Sequence, residues 1–473
     1  LHLLSRRQRQ MCIRDSFYLY DRSKNKICEI KEATYNYLNG FDGSNTVKRE
    51  IRKLRSAGYL RENNPLEVIS NPYNDIVEHM LNNCMEDLIL QVTQSCNLRC
   101  EYCIYSENNA SRHGRQHRDA VMSYDKAVQI INFFMEHSRN KVIIGFYGGE
   151  PLLAFDLIKK IVQYIHSTFP ERKVEYSITT NGTLLNNEII EFFIREKFQM
   201  TLSIDGPKEI HDKNRHFQSG RGSFDVIVQK LTKLEQTFPK FFENVTTNTV
   251  INPEYNVNNY IDFFNDNVSL KNMHHRLSGL SDAGIDDIYV YNEDLKIAMA
   301  KEEIYAMANM LGWFAKDFEL KEYFPPYMSD LIQKHAILES GEFISKSGHP
   351  GGPCIPGVKR CLVNIDGDIF PCEKAIENQE MVIGNTEQGF YLEKVKQFMN
   401  IGTLTENECK NCWAFLLCSS CGVSCTGSDG FCAKKRLKKC GGIQQYVIKI
   451  LRSIKILEEN GYDFYRFEKN VEE

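Results

Sequence analysis

The stretch Cys96-Asn-Leu-Arg-Cys100-Glu-Tyr-Cys103 decides the fold that we expect for this chain. Its three cysteines are separated by three and by two residues, and they follow the apolar run 88–92. Iron–sulfur clusters are held by cysteine thiolates, and a closed [4Fe–4S] site normally takes four of them. The next cysteine along the chain is Cys354, so the local pattern predicts a cluster with one iron left open. A zinc site or scattered buried thiols are the other interpretations of this spacing.

Three further motifs accompany this loop, namely Tyr147-Gly-Gly-Glu-Pro151, Thr179-Thr-Asn-Gly182 and Ser203-Ile-Asp-Gly-Pro207. Together they resemble the radical SAM enzymes, whose signature loop is CxxxCxxC. An open iron suits the amino-carboxylate of S-adenosylmethionine (SAM), which is a cofactor of radical chemistry. The resemblance implies that a [4Fe–4S] cluster passes one electron to the SAM sulfonium. Methionine and a 5′-deoxyadenosyl radical result, and the radical abstracts hydrogen from the substrate.

The glycine-rich motif predicts where SAM is held. Gly148 and Gly149 have no side chains, so a ligand can approach the backbone closely. Glu150 can accept charge-assisted hydrogen bonds from an ammonium group, and in the family this motif binds the methionine amino group of SAM. The resemblance implies further SAM contacts, with an aromatic ring near the adenine and polar groups at strand ends, from Tyr102, Pro151, Thr180, Asn181, Ser203, Asp205 and Arg215. A surface ion pair is an equal alternative for Arg215.

A second set of cysteines occupies the C-terminal part of the chain. It reads Cys354-x12-Gly367-x4-Cys372, then Cys409-x2-Cys412-x5-Cys418-x2-Cys421, then Cys440. This resembles the seven-cysteine SPASM extension, which carries two auxiliary [4Fe–4S] clusters. The usual pattern has three residues before the fourth cysteine of the middle group, so Cys421 departs from it and Cys425 is a substitute.

Cys361 is an eighth candidate ligand. A hairpin turn at Gly367 would bring it near Cys372. A zinc ribbon is the alternative for the paired cysteines. Cys432 has no assignment, and Cys28 and Cys84 are expected to be buried thiols.

Predicted strands and helices alternate from residue 88 onward, which indicates an α/β fold with a parallel sheet and helices outside it. Strands are expected at 88–93, 141–147, 174–179, 200–204 and 245–251, and helices at 123–139, 155–169, 187–196 and 223–238. The resemblance implies a partial (β/α)6 radical SAM barrel. The cysteine loop 96–103 and the three motifs that accompany it each follow a predicted strand, where the active sites of such barrels gather.

The N-terminal region predicts a small winged-helix-like module. Strands are expected at 17–21 and 26–30, followed by a helix at 31–38 and a second helix capped by Thr46. The second helix is basic through Lys48, Arg49, Arg52, Lys53 and Arg55. DNA binding, capture of a leader peptide and a solvated charged face are the three interpretations. Leader capture is favoured beside a radical SAM core, because many peptide-modifying enzymes begin with such a recognition element.

The chain divides into seven expected segments: a non-native leader (1–16), the winged-helix-like module (17–63), a linker (64–84), the partial barrel (85–300), a helical connector (301–347), the SPASM domain (348–445) and a C-terminal helix (446–473). Residues 1–16 of the chain are expected to lie outside the fold. The chain begins with Leu1 rather than Met, and Arg6-Arg-Gln-Arg-Gln-Met-Cys-Ile-Arg-Asp15 resembles translated adapter sequence. A helix at 298–318 and a closing amphipathic helix at 444–460 are also expected, with Trp313 in the core.

Composition places limits on the partners and the compartment. The chain is 42% hydrophobic and 25% charged, with a net charge of −4, so its overall field favours neither nucleic acid nor an anionic membrane. No apolar run reaches the roughly 18 residues that span a bilayer. The sixteen cysteines fall mostly in clusters with metal-type spacing, which points to a reducing, anaerobic cytoplasm.

SPASM proteins mostly modify ribosomally made peptides or proteins. Four motifs look like the Cys-rich-peptide (ranthipeptide-type) maturases that form thioether links: Tyr147-Gly-Gly-Glu-Pro-Leu-Leu153, Cys354-Ile-Pro-Gly-x-x-Arg360, Phe370-Pro-Cys-Glu373 and Cys412-Trp-Ala414. The implied partners are a precursor peptide with its leader and a flavodoxin- or ferredoxin-type electron donor.

Two other functions remain open. Relatives that oxidise a sulfatase cysteine or serine to formylglycine carry Asp, acting as a base, after the equivalent of Cys372. This chain has Glu373 there, which can do the same acid–base work and is the candidate catalytic residue, although a surface charge is an equal alternative. An iron–sulfur-sensing DNA-binding regulator is a remote third hypothesis.

Overall fold

The computed structural model describes residues 8–13, 16–61, 66–105, 117–267, 270–285, 287–314, 323, 327–340, 344–351 and 354–465. The chain begins with an antiparallel sheet of strands β1 (Gln8–Ile13), β2 (Ser16–Asp21) and β3 (Lys26–Ile30), in that order. Helices α1 (Glu32–Leu38) and α2 (Asn45–Ser56) follow. They pack apolar residues of the sheet into a small core that contains Leu19, Ile30, Leu38, Val47, Ile51 and Leu60.

Two expectations for the N-terminal region are wrong, one for the segment 1–16 and one for the module 17–63, and the other elements predicted for the module are confirmed. Gln8–Ile13 was expected outside the fold but forms a strand along β2, with Met11 and Ile13 buried. Residues 1–7, 14 and 15 of the same segment lie outside the described residues. The N-cap of α2 is Ser44 rather than Thr46, because Ser44 Oγ accepts a hydrogen bond from the Val47 backbone N–H at 3.3 Å.

The segment expected to be a linker contains structure as well. Strand β4 (Val68–Ile69) pairs in parallel with residues 347–348, and helix α3 (Val77–Asn83) follows it. Val77 and Leu81 of α3 are fully buried in the main core. The linker prediction is therefore wrong for the described part of 64–84, while residues 62–65 lie outside the described residues.

The predicted parallel sheet is confirmed. It is formed by β5 (Met85–Thr93), β6 (Ser138–Gly148), β7 (Lys173–Thr180), β8 (Gln199–Ser203), β9 (Thr246–Ile251) and β10 (His274–Gly279), with neighbours in the sheet following one another along the chain. The helices of this part are α4 (Tyr124–His137), α5 (Phe155–Thr168), α6 (Asn187–Arg195), α7 (Lys208–Asn214), α8 (Phe224–Thr237), α9 (Pro239–Phe242) and α10 (Asn258–Asp266). Strand β10 was not predicted, because its sequence carries one large aliphatic residue, Leu277, among polar ones.

Local sequence explains how these helices begin and which way they face. Ser123 caps α4 and Asn186 caps α6, each accepting a backbone N–H three residues on, at 3.1 and 3.0 Å. A side chain that satisfies such an orphan donor stabilises a helix start by about 1 kcal/mol. The apolar faces of these helices pack against β5 and its neighbours, and β5 is buried along nearly its whole length.

The connector holds helices α11 (Glu293–Met310) and α12 (Tyr327–Glu339) and strand β11 (Ser347–Gly348), the partner of β4. The helix predicted at 298–318 therefore begins earlier and ends earlier, and residues 315–318 lie outside the described residues. Trp313 is 62% exposed, so the prediction that it belongs to the core is wrong.

The cysteine-rich part extends the barrel sheet directly. Strand β12 (Cys361–Val363) pairs in parallel with β5, and β13 (Asp368–Phe370), β14 (Gly384–Asn385) and β15 (Gly389–Phe390) continue the sheet antiparallel. Helices α13 (Leu392–Met399) and α14 (Glu406–Lys410), the hairpin of β16 (Thr426–Gly427) and β17 (Gly430–Phe431), and the long helix α15 (Ala433–Glu459) follow. Helix α15 starts eleven residues before the predicted closing helix. Among the described residues, no helix is both long and apolar enough to cross a membrane.

Candidate functional site

The three-cysteine loop lies directly after β5, at the carboxyl end of that strand. Its backbone is tied to the segment after α7, since Arg99 N–H donates to the His216 carbonyl (2.8 Å) and Glu101 N–H to the Asn214 carbonyl (2.9 Å). Burial, with a smaller contribution from the Cys103 thiolate, raises the pKa of Cys96 and Cys100 to about 12. The three thiols therefore lie close together, and a bound cluster would have to displace their protons.

The glycine-rich motif is fixed to the start of this loop. Gly149 N–H donates to the Thr93 carbonyl (2.9 Å) and Glu150 N–H to the Ser95 carbonyl (2.8 Å). A Cβ on Gly148 would lie 2.1 Å from the Thr93 oxygen, and one on Gly149 would lie 2.0 Å from the Ser95 oxygen. Gly148 also has a φ of +140°, which side chains rarely adopt. Only glycine allows these two segments to meet so closely.

Glu150 is a buried carboxylate held by neutral donors. It accepts hydrogen bonds from the backbone N–H of Leu152 (3.1 Å), from Thr180 Oγ1 (2.6 Å) and from the backbone N–H of Asn181 (2.8 Å). Burial raises its pKa, while these hydrogen bonds lower it. None of the three donors is charged, so the side chain is oriented while its charge stays available to a ligand cation. Pro151 begins the short 3-10 turn that Glu150 caps.

Tyr102, Asp205 and Arg215 meet in one buried chain. Arg215 Nη1 donates to the Tyr102 hydroxyl (2.6 Å), which donates to Asp205 Oδ2 (2.5 Å). Asp205 Oδ1 accepts the backbone N–H of Val250 (3.1 Å). Arg215 is 8% exposed, so the alternative of a surface ion pair is wrong. Its Nε has no hydrogen-bond partner among the described residues, which leaves one donor for a ligand.

Polar side chains missed in the sequence support these groups. His211 Nδ1 accepts the Asp205 backbone N–H (3.1 Å) and its Nε2 lies 2.9 Å from Ser223 Oγ. Asn97 accepts a hydrogen bond from Asn181 Nδ2 (2.9 Å) and so ties the second motif to the cysteine loop. Ser203, the last residue of β8, stands beside Asn248 of β9.

The comparisons with known proteins bear on this arrangement. Residues 90–266 match the Radical SAM superfamily. The chain carries a radical SAM domain. Members of this family use a [4Fe–4S] cluster and SAM. The donor set fits both, with three thiols on one loop, two glycines that leave room for a ligand and a buried carboxylate with neutral donors.

The relatives extend beyond the radical SAM domain. A cysteine-type anaerobic sulfatase-maturating enzyme of Clostridium novyi (strain NT) is 25% identical over 345 residues, covering 70% of this chain and 86% of the relative. The radical SAM cyclopropyl synthase TigE of Paramaledivibacter caminithermalis is 22% identical over 250 residues, covering 47% of this chain and 52% of TigE. The structure of native anSMEcpe with bound AdoMet and Cp18Cys peptide has a TM-score of 0.58 at 21% identity and covers 79% of this chain and 99% of anSMEcpe. It shows the same fold.

Beyond the radical SAM domain, three candidate cysteines come together beside β12 and β13. Burial and the Cys421 thiolate raise the pKa of Cys354. Burial, the Glu373 carboxylate and then the Cys421 and Cys354 thiolates raise the pKa of Cys372 to about 12. Cys421, whose spacing departs from the usual pattern, therefore lies with this group.

Cys361 stands apart from the other candidates. The hairpin predicted at Gly367 forms, but Cys361 lies within β12, opposite Leu88, and is completely buried in the main core. Burial and the Asp87 carboxylate, rather than another thiol, raise its pKa. The expectation that the hairpin places Cys361 among the ligands is not supported.

The remaining candidates form a second group of four cysteines, Cys409, Cys412, Cys418 and Cys440. Burial and then the thiolates of Cys418, Cys409 and Cys412 raise the pKa of Cys440 to about 11. Gln444 Nε2 donates to Cys412 Sγ at 3.4 Å. Arg22 Nη1 donates to the carbonyls of Lys410 (2.9 Å) and Cys412 (2.8 Å), so the N-terminal sheet supports this group.

Two unassigned cysteines have local contacts. Cys425 is buried with its sulfur 3.6 Å from Ser420 Oγ, and Cys432 Sγ caps α15 by accepting the Lys435 N–H at 3.4 Å. None of the sixteen cysteines, all of which lie in the described part of the chain, forms a disulfide. In the described part of the chain, no three His, Cys, Asp or Glu side chains converge within reach of one metal ion. The ligands of a [4Fe–4S] cluster need not converge on one point, because each thiolate binds a separate iron.

Glu373 lies at the first group of three. Arg360 donates to it from Nη1 (3.2 Å) and to Asp87 from Nε (2.8 Å). Glu373 Oε2 is buried and has no hydrogen-bond partner among the described residues, so it keeps capacity to accept a proton. Sequence reasoning missed Glu377, a buried carboxylate that accepts hydrogen bonds from Gln91 Nε2 (2.5 Å) and from the Tyr105 hydroxyl.

Proposed function

We propose that this protein is a peptide maturase, which modifies a ribosomally made Cys-rich precursor and links a cysteine sulfur to carbon in thioethers. One observation carries this proposal. Cys354, Cys372 and Cys421 lie close together beside an extension of the barrel sheet, close enough for Cys421 to raise the pKa of the other two, while Cys361 is buried within β12. A cluster on three cysteines would keep an iron open to a substrate thiolate.

The residues after the barrel strands would hold SAM. Cys96, Cys100 and Cys103 would bind the cluster, Glu150 would accept the SAM ammonium, and Arg215 Nε would be a donor for its carboxylate. When bound, the cluster and SAM supply a 5′-deoxyadenosyl radical that takes hydrogen from the substrate. The buried Tyr102–Asp205–Arg215 chain keeps its donors oriented and excludes water from this part of the site.

Two auxiliary clusters belong to the same proposal. Cys409, Cys412, Cys418 and Cys440 supply four thiolates for a closed site, and the group of three supplies the open one. With the SAM cluster the protein would bind about twelve irons per chain. If reconstituted protein binds only about four irons with zinc besides, the auxiliary sites are wrong.

Leader capture is proposed for the first sheet. Strand β3 pairs with β2 on one side, and its other edge meets no strand in the described residues. An extended peptide can add to such an edge through main-chain hydrogen bonds. Tethering would raise the effective concentration of the target cysteines to about millimolar. A flavodoxin or ferredoxin in a reducing cytoplasm is the proposed electron source, in keeping with the metal-type spacing of the cysteines.

The decisive test is the product. Each thioether link removes two hydrogen atoms, so incubation of a Cys-rich precursor with SAM and a reductant should give a peptide about two mass units lighter per link. Alkylation with iodoacetamide should miss the linked cysteines. A product of unchanged mass with every cysteine alkylated contradicts the proposal.

Sulfatase maturation is the second candidate, favoured by the similarity to the cysteine-type enzyme over 70% of this chain. The buried Glu373 Oε2 could serve as its base. An aldehyde product, detected by hydrazide labelling of a sulfatase peptide, would select this function. An unlabelled product with a mass loss of two per link would select the maturase.

A further inference from the structure

Arg436 is a fully buried arginine that none of the functions above uses. It lies on α15 with 2% of its surface exposed. Its Nε donates to Thr405 Oγ1 (2.9 Å) and its Nη1 to Ser420 Oγ (2.7 Å). Its Nη2 lies 3.7 Å from Cys409 Sγ, within hydrogen-bonding reach of a sulfur.

The charge of Arg436 lacks a conventional partner. Within the part of the chain that the structure describes, no Asp or Glu side chain bonds to it, and its polar contacts are hydroxyls and the sulfurs of Cys409 and Cys425. A buried guanidinium without an anion is costly, because desolvation removes the water that would stabilise its charge. A cluster with four thiolates carries net negative charge and would supply the missing anion.

The position of Arg436 on α15 also places it next to the proposed cluster. Arg436, Cys440 and Gln444 are spaced four residues apart and so share one face of the helix. Cys440 is a ligand of the proposed closed cluster, and Gln444 donates to the sulfur of another ligand, Cys412. Thr405 Oγ1 receives the Arg436 Nε–H and lies 3.3 Å from Cys409 Sγ, so its own proton is free to point at that sulfur.

We propose that Arg436, acting directly and through Thr405, compensates the charge of the cluster held by Cys409, Cys412, Cys418 and Cys440 and raises its reduction potential. This rests on the auxiliary clusters of the proposed function. Reduction adds one electron and makes the cluster more negative, so a fixed cation and donors to its sulfurs stabilise the reduced form. Arg436 is therefore a positioning residue for electron transfer rather than a catalytic one.

The test is a redox titration of reconstituted full-length protein with dithionite, followed by EPR. The Cys96→Ala, Cys100→Ala, Cys103→Ala background removes the SAM cluster, so the auxiliary clusters alone contribute. Arg436→Gln should shift one of the two midpoint potentials to more negative values, reducing the reduced-to-oxidised ratio about tenfold at fixed potential, or 59 mV for a one-electron couple. Thr405→Val, which is nearly isosteric, should give a smaller shift in the same direction. Arg436→Lys keeps the charge and should shift less than Arg436→Gln.

Lys438→Gln is the matched control. It removes one positive charge from the same helix, but Lys438 pairs with Asp287 and is not a contact of the cysteine group. Its midpoint potentials should equal those of the parent. Equal potentials in the parent and in the Arg436→Gln and Thr405→Val variants overturn the proposal.

The iron content distinguishes a failure of the role proposed for Arg436 from a failure of the proposed auxiliary clusters. A parent with no iron left after removal of the SAM cluster overturns the auxiliary clusters and the inference together. A parent with about eight irons and unshifted variants overturns the role of Arg436 alone. If Arg436→Gln does not load iron or fold, the shifts of Thr405→Val and Arg436→Lys decide the matter, and no shift in either contradicts the proposal.

Discussion

At the residue scale, the candidate SAM site is held together by pairs of groups from separate motifs. Glu150 of one motif accepts its hydrogen bonds from Thr180 and Asn181 of the next, and Asn181 reaches back to Asn97 of the cysteine loop. Each motif therefore depends on another for its orientation. We expect that replacing one of these residues will also disturb the orientation of the motif to which it is hydrogen-bonded.

The cysteine loop gives the most direct prediction. Replacing Cys96, Cys100 and Cys103 with alanine should remove about four irons per chain and all SAM cleavage, because the open-iron cluster has no other ligands. Iron analysis and measurement of 5′-deoxyadenosine test this. Continued 5′-deoxyadenosine production by the triple variant would exclude the assignment. The Cys84→Ala variant, at a half-buried thiol outside the proposed clusters, should retain its iron and serves as control.

His211 predicts an acid-sensitive barrel. Burial, followed by the charges of Arg215 and Lys208, lowers its pKa from 6.5 to about 3. The unfolded chain binds a proton below pH 6.5 that the folded chain excludes, so this contribution to stability is complete above pH 6.5 and is lost as the pH falls. Between pH 6.5 and 5 the loss should be about 2 kcal/mol.

Guanidinium unfolding of the apoprotein at pH 7 and pH 5 measures this contribution. His211→Gln should lose part of the acid sensitivity, since glutamine does not titrate. His216→Gln is the matched control and should keep the sensitivity that His211 causes, because the Glu101 hydrogen bond raises the pKa of His216. An unchanged pH dependence in His211→Gln would contradict the role of His211.

At the element scale, the motifs stand where strand ends bring the backbone together. The GGE segment follows β6 and the cysteine loop follows β5, and the two strands pair in parallel along most of their length. Their carboxyl ends therefore meet, and the loops after them contact through hydrogen bonds from Gly149 and Glu150. The site is a consequence of strand pairing as much as of its side chains.

Gly148→Ala tests this close approach. The new Cβ would lie 2.1 Å from the backbone oxygen of Thr93, which cannot move without displacing the loop. We expect a loss of about 2–4 kcal/mol in stability from overpacking and backbone strain, and at least tenfold weaker SAM binding. Thermal unfolding and calorimetric titration with SAM measure the two effects.

Gly441→Ala is the control for that variant. This glycine lies inside α15, and a Cβ there would meet nothing within 4 Å. The substitution should stabilise the helix by about 0.5–1 kcal/mol and leave SAM binding unchanged. Weaker SAM binding in Gly441→Ala but not in Gly148→Ala would contradict the argument from close approach.

The sequence allowed the periodic elements and the local motifs to be predicted, because both depend on residues near one another in the chain. The strands from β5 to β9 and the residues of the glycine-rich motif were found in this way. Features that depend on contacts between residues far apart in the chain were not predicted. The pairing of β12 with β5, which takes Cys361 into the core, joins residues 273 positions apart, since Cys361 stands opposite Leu88.

Arg436 and Arg22 were missed for the same reason. Both read as ordinary charges in the sequence, and only their burial beside cysteines distinguishes them. The segment 8–13 was excluded because its sequence resembled adapter read-through, whereas its apolar residues complete a core with α15. Spacing alone also could not place Cys421, which the fold brings to Cys354 and Cys372.

At the scale of the whole molecule, the N-terminal sheet and the cysteine-rich part share one core. Met11 and Tyr20 pack with Trp413 and with the apolar face of α15. Asn25 Nδ2 also donates to the Ile337 carbonyl of α12 at 2.6 Å. Removing residues 1–63 would therefore expose this core and damage the auxiliary site, so the proposed leader role is better tested by truncating the peptide.

A precursor peptide without its leader tests whether leader binding raises the local concentration of the core peptide. If the leader adds to the edge of β3, the core peptide alone should still be modified, but with a KM raised to about millimolar and a kcat close to that of the full precursor. The reason is that the leader supplies local concentration and does not touch the reacting atoms. Uncoupled SAM cleavage should not change. Free leader in excess should inhibit modification of the full precursor and leave the leaderless peptide unaffected, which mass spectrometry of both peptides measures. Equal KM values for the two peptides would refute leader capture, and the edge of β3 would then need another partner.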